Sequence, residues 1–194
     1  EVLLLTDPVD TILLIGLTEY KGHTLRSVDE AGLDLSQVGQ VIDEAPAQDR
    51  LPEDSLDALT RRFSRVLGDR VRDVRPSSAL TASPARLVSD EAGAARHRYR
   101  LNRLLDRDYE LPVKILELNP RHPLMHNLCR MIGETPDSRL IDAVIEQVFE
   151  TALLQDGLHP DPASMAERLT LLLQAATGTP ATDLDYEPTA GAGG

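Results

Sequence analysis

The chain has 194 residues, of which 41% are hydrophobic and 27% charged, and a formal net charge of −12. That apolar share supports one packed domain, or a domain plus part of another, and excludes global disorder. No run approaches the ~18 uncharged apolar residues of a membrane helix, the single cysteine, Cys129, excludes an internal disulfide, and 3% aromatic residues with no tryptophan argue against a base- or sugar-stacking site.

Residues 1–6 (EVLLLT) read as a buried strand. A start on Glu1 with no n-region reads as a cut through a longer protein rather than a secretory leader. Asp7 and Pro8 then predict a helix through Leu17, with Asp7 as N-cap and proline in the first turn. Residues 20–28 contain Gly22 and alternation, and read as hairpin material. Residues 31–51 are polar, with Gly32, Gly39 and Pro46, and read as a loop. Pro52 opens a strong helix, whose Leu56, Leu59, Phe63, Val66 and Leu67 fall on one face of a 3.6-residue period. Short strands are predicted at 71–74 and 85–88, around a turn holding Pro76, Ser77 and Ser78. A helix over 90–106, a strand over 114–118 (KILEL) and a helix over 123–132 follow. Asp137 or Ser138 caps a long helix to about Leu154, Gly157 ends it, and Pro160-Asp161-Pro162 starts another to about Ala176. Residues 177–194 are rich in Gly, Pro, Ala and Thr, and predict a disordered tail. Mixed strands and helices followed by two consecutive helices define an α+β class: a small mixed sheet with packed helices, then a C-terminal helical hairpin.

Charge is segregated. Residues 1–60 carry 3 basic and 13 acidic side chains, residues 61–130 carry 15 and 8, and residues 131–194 carry 2 and 11. A basic middle between acidic ends reads first as a solvated face balanced by its flanks. The global field repels phosphate, so nucleic acid is an unlikely partner. The alternative is a basic binding module for nucleic acid or acidic protein, built on Arg96, Arg98, Arg100 and Arg103 of the helix over 94–108. His97, Leu101, Leu104 and Leu105 form a narrow apolar ridge on that helix. Such a ridge docks on its own domain or clasps a partner's apolar segment. With no Trp or Phe in it, membrane insertion is not expected.

In the first helix of the terminal hairpin Leu140, Ile141, Val144, Ile145, Val148 and Phe149, with Ala152 and Leu153, make a stripe wider than one neighbouring helix covers. In the second, Met165, Leu169, Leu172, Leu173 and Ala176 share a stripe, with Leu171 beside it. Either this surface packs on the chain's own sheet, or a two-fold copy closes it into a four-helix bundle across a homodimer. Asp142, Glu146 and Glu150, at steps of four, read as the solvated face of the first helix. His122, His126 and Cys129 have metal-ligand spacing on one helix. Pro123 disturbs the first turn, however, and the Leu-Met surroundings favour a packed helix, so no metal is expected. Cys129 reads as a small core residue. No nucleophile-elbow, phosphate-loop or dinucleotide motif occurs, and no catalysis is expected within this chain.

Three stretches together resemble the heat-shock-protein-90 chaperone family in its bacterial high-temperature-protein-G form: EVLLLTDPVDTILLIGLTEYKGHTLRSVD over 1–29, LGDRVRDVRPSSALTASPARLVSDE over 67–91 and KILELNPRHPL over 114–124. The resemblance covers roughly residues 1–176. It implies that residues 1–50 are the end of a middle domain and a linker, that 51–176 are a C-terminal dimerisation domain, and that the hairpin builds the two-fold bundle. It further implies that the helix over 94–108 is the mobile amphipathic segment that touches client proteins through His97, Leu101, Leu104 and Leu105. Ile12 stands near the place of an aromatic client contact. In such a family ATP and Mg bind outside this chain, the partners are a second copy and unfolded or partly folded clients, no membrane is involved, and the compartment is the cytoplasm. The sequence lacks the Met-Glu-Glu-Val-Asp terminus of eukaryotic cytosolic members.

Overall fold

A computed structural model describes Leu3, Leu13 and residues 16–26, 50–88, 114–180, 184 and 186. The chain divides into two compact units, one formed by 1–45 with 88–112 and the other by 46–87 with 113–194. The sequence reading instead places one boundary near residue 50. The second unit is discontinuous, because the chain leaves it after Leu87 and returns at Val113.

In the first unit the described elements are a hairpin of β1 (Glu19–Tyr20) and β2 (His23–Thr24). Tyr20 faces His23 in the register, so the loop is Lys21-Gly22. Both residues have positive φ, 50° and 80°. A two-residue hairpin loop of type I′ requires this at both central positions, and glycine accepts it without strain.

The second unit contains the rest: α1 (Glu53–Leu67), a 3₁₀ turn (Gly68–Arg70), β3 (Val71–Pro76), β4 (Ala85–Val88), β5 (Lys114–Leu118), α2 (Pro123–Glu134), α3 (Arg139–Gln155) and α4 (Met165–Ala176), which a second 3₁₀ turn (Pro162–Ser164) precedes. These elements agree in type with the sequence reading, within a few residues at their ends. The predicted helix over 90–106 lies outside the described residues, as does most of the one over 7–17.

The sheet order is β3-β5-β4, with β3 and β5 parallel. An extra residue in β3 shifts the register between Val71 and Asp73. This bulge breaks strict alternation and puts both Val71 and Val74 into the core. All five residues of central β5 are buried. A strand covered on both faces must be apolar or have its charges paired, and Lys114 and Glu117 are both paired, as described below.

The core is formed by Leu56, Leu59, Phe63 and Leu67 of α1 against Val71, Val74, Leu116 and Leu118 of the sheet, Met125 and Leu128 of α2, and Ile141, Ile145, Val148 and Phe149 of α3. The periodic face read for α1 is therefore the buried one, with Val66 at its margin. Helix ends follow local chemistry. Pro123 occupies the first turn of α2, and His122 Nδ1 accepts from the Leu124 N–H at 3.1 Å. Ser138 is the N-cap residue of α3, but its side chain makes no capping bond. Gly157, at φ 70°, lets the Leu158 N–H reach the Leu153 carbonyl at 2.8 Å and the Gly157 N–H reach that of Leu154 at 3.0 Å. This is the crossed pair of bonds that stops a helix through a left-handed residue.

Candidate functional site

The α3–α4 hairpin is organised around one carboxylate. Glu146 is fully buried in the middle of α3. Its Oε1 accepts from Arg70 Nη2 at 2.8 Å, and its Oε2 from Arg168 Nη1 at 2.8 Å and from the Tyr186 hydroxyl. Arg168 also donates through Nη2 to Glu150 and through Nε to Gln147 Oε1 at 3.3 Å. His159 Nε2 lies 3.5 Å from Glu150 Oε2. Arg70 in turn sits over the Phe149 ring, 5.7 Å from its centroid. The cluster thus ties the turn after α1, both helices of the hairpin and the chain beyond α4 to one point. A buried carboxylate survives only with such close cationic partners. The reading of Glu146 as part of a solvated face is overturned. Its neighbours Ile145, Val148 and Phe149 turn the same region of α3 into the core, and charges at steps of four do not reveal which face is covered.

Two further carboxylates brace the sheet. Glu117 accepts from Arg75 Nη2 at 2.9 Å, from Arg86 Nε at 2.8 Å and from the Ser77 hydroxyl at 3.0 Å. Burial pushes its carboxyl up, but the bonds from Arg86 and Arg75 outweigh that and hold it below the ordinary value. Buried Lys114 meets Asp156, just past α3, at 2.5 Å. Arg62 on α1 meets Asp142 on α3 at 2.7 Å. At the end of β5, buried Asn119 donates through Nδ2 to the carbonyls of Thr81 and Ser83 at 3.2 and 3.1 Å, and accepts from the Arg121 N–H at 3.0 Å. The asparagine of the ELNP run is therefore the pin that holds the 76–84 loop to the sheet.

The structure distributes the sequence-predicted residues unevenly. Ile141, Ile145, Val148 and Phe149 are buried in the chain's own core, and Val144 packs at its edge. Leu140 and Leu172 border a second apolar cluster of Ala143, Leu171, Leu184 and Tyr186. Leu169 and Leu173 are open, at 43% and 64% exposure, as is Leu154 at 46%. Helix α4 is thus rolled relative to the stripe read from its periodicity. Met165, Arg168 and Leu171 face inward, because the ion pairs of Arg168 with Glu146 and Glu150 fix its azimuth. Leu184 and Tyr186, within the stretch read as a disordered tail, belong to that cluster; the other residues from 181 to 194 lie outside the described residues. Ile12, His97, Leu101, Leu104 and Leu105 lie outside the described residues, together with Arg96, Arg98, Arg100 and Arg103.

His122 is engaged as a helix cap, and Cys129 Sγ donates to the Ser55 carbonyl at 3.6 Å. Burial pushes the Cys129 thiol up, which disfavours the thiolate. Among the described residues no group of three or more His, Cys, Asp or Glu could hold a metal ion. Among them, too, no helix is long and apolar enough to cross a membrane.

Comparison with known proteins gives this scaffold its relatives. Residues 1–191 match the family described as Hsp90 protein. The chain belongs to the Hsp90 family. Among its relatives in that family, the chaperone protein HtpG of Oleidesulfovibrio alaskensis is 35% identical over 181 residues, which is 92% of this chain and 28% of the relative. HtpG of Mycobacterium avium is 37% identical over 170 residues, 87% of this chain and 26% of the relative. HtpG of Chlorobium phaeovibrioides is 32% identical over 177 residues, covering 91% and 28%. The chain therefore spans a little over a quarter of the length of these Hsp90 relatives.

Proposed function

We propose that this chain supplies homodimerisation and client contact to an ATP-driven chaperone of the Hsp90 family that works in the cytoplasm. Its residues 51–176 act as the C-terminal dimerisation domain, and residues 1–50 as the end of the preceding middle domain. ATP and magnesium are handled elsewhere in the full-length protein. The observation that carries the reading is the pair of open leucines, Leu169 and Leu173, one turn apart on a helix whose inward side is locked by Arg168. Leu154 adds to the apolar surface of the same hairpin. A two-fold copy laid on this ridge completes a bundle of four helices, and a stable contact of that kind buries on the order of 1,600 Å². Joining two long arms at one end raises the effective concentration of their other ends, so closure of the arms becomes intramolecular. Client segments are held by modest apolar ridges, Leu101, Leu104 and Leu105 with His97 and, separately, Ile12, since larger exposed patches aggregate.

Light scattering at micromolar concentration tests the dimer. The chain should weigh two copies, and Leu169→Asp with Leu173→Asp should weigh one at unchanged helicity. A wild-type monomer, or a double variant that stays paired, overturns the role. In the full-length protein, Leu101→Asp with Leu105→Asp should lose the ability to hold an unfolded client; holding that survives removes the ridge from the contact surface.

A further inference from the structure

Tyr186 and Leu184 lie beyond the last helix, in a tail of small and polar residues, yet both are buried. Their seat is specific. Leu184 and Tyr186 pack with Ala143 and Leu171, and Leu140, Leu172 and Ala175 line the margin. The Tyr186 hydroxyl donates to Glu146 Oε2, and Arg139 Nη1 donates to the Tyr186 carbonyl at 3.2 Å. The seat thus offers an apolar floor, a buried acceptor for a phenol and a cationic donor for backbone.

The seat does not depend on its occupant. With Tyr186 gone, Glu146 keeps Arg70 on one oxygen and Arg168 on the other, each at 2.8 Å. No charge is orphaned, and the released phenol recovers its hydrogen bonds from water. Release therefore exposes a preformed groove rather than a collapsed one. By contrast, removing Arg70 or Arg168 takes a cation from the buried Glu146 carboxylate.

We propose that the α3–α4 hairpin carries a peptide-binding seat that reads a Leu-x-Tyr segment, occupied in this structure by the chain's own Leu184 and Tyr186 as a detachable strap. Leu140 and Leu172, which the sequence reading offers as candidates for a partner copy, pack against the strap while it is seated.

The test uses the full chain with a labelled peptide of residues 181–190 (ATDLDYEPTA) and fluorescence anisotropy. Leu184→Ala with Tyr186→Ala empties the seat, so the peptide should bind this variant at least about tenfold more tightly than it binds the wild-type chain. A peptide carrying Phe in place of Tyr should bind the emptied chain several-fold more weakly. Equal binding to both chains, or none to either, overturns the proposal. If the double variant fails to fold, Tyr186→Phe alone is read by hydrogen exchange: the amides of Leu184 and Tyr186 should lose protection while those of α3 keep theirs. Unchanged protection of the tail then overturns it.

Discussion

A carboxylate without solvent in the middle of a helix is tolerable only while its cations stay close. Removing Glu146 leaves Arg168, itself buried, with one carboxylate partner fewer, and takes from Arg70 the acidic contact described above. Glu146→Ala should therefore cost about 3–5 kcal/mol, read as a fall in the urea midpoint at unchanged slope. Glu117 makes a different prediction, because its carboxyl titrates lower in the fold than in the unfolded chain. Its contribution is complete above the unfolded value of about 4.3 and is lost as pH falls through the lower folded value. Stability measured from pH 6 downward should decline below about pH 4, and Glu117→Gln should flatten part of that decline. A variant with the same acid profile as the parent would assign the decline to other groups. Neither carboxylate is identifiable from sequence. A lone Glu within KILEL or within an apolar helix looks the same whether solvated or caged, since its arginines lie 22 to 76 positions away in the chain.

At the scale of elements, the positions of helices and strands were legible because their signals are local. Pro52, Pro123 and Gly157 each act within one turn, and the four-residue spacing of α1 is visible without knowing its neighbours. The facing of α3 and α4 was not legible. Apolar residues lie on so much of α3 that periodicity cannot choose a direction, and α4 is rolled by Arg168 rather than by its leucines. As a result, of the stripe residues read on α4, Leu169 and Leu173 are the large ones left exposed. The strap was equally invisible, because its anchor is a partner 40 positions away. It has its own pH signature. Burial first, and the bond to Glu146 second, push the Tyr186 hydroxyl from 10.0 to about 12. A value raised in the fold adds stability that is complete below about pH 10 and lost as pH rises through about 12. Tail protection should therefore fade over that interval while the hairpin persists, and a tyrosine absorbing as phenolate near pH 10 at position 186 would contradict the seated geometry.

For the whole molecule, the net charge of −12 sets the cost of bringing two copies together. Salt shortens the range of that repulsion, with a Debye length of about 30 Å at 0.01 M and about 8 Å at 0.15 M. Self-association should tighten across this interval in sedimentation velocity; weakening would mean that ion pairs between copies dominate the contact. The placement of β5 has a further result. It runs between β3 and β4, which precede it, so the sheet is completed by a segment that re-enters from far along the chain. Among the described residues, the contacts that join the earlier stretch to the later one include the β3–β5 pairing, α1 against α2 and α3, and the bonds from Arg62, Arg70, Arg75 and Arg86 to Asp142, Glu146 and Glu117. A protein severed at a protease site installed between Val88 and Lys114 should elute from a sizing column as a single species and come apart only in urea, two complementary pieces behaving as one body.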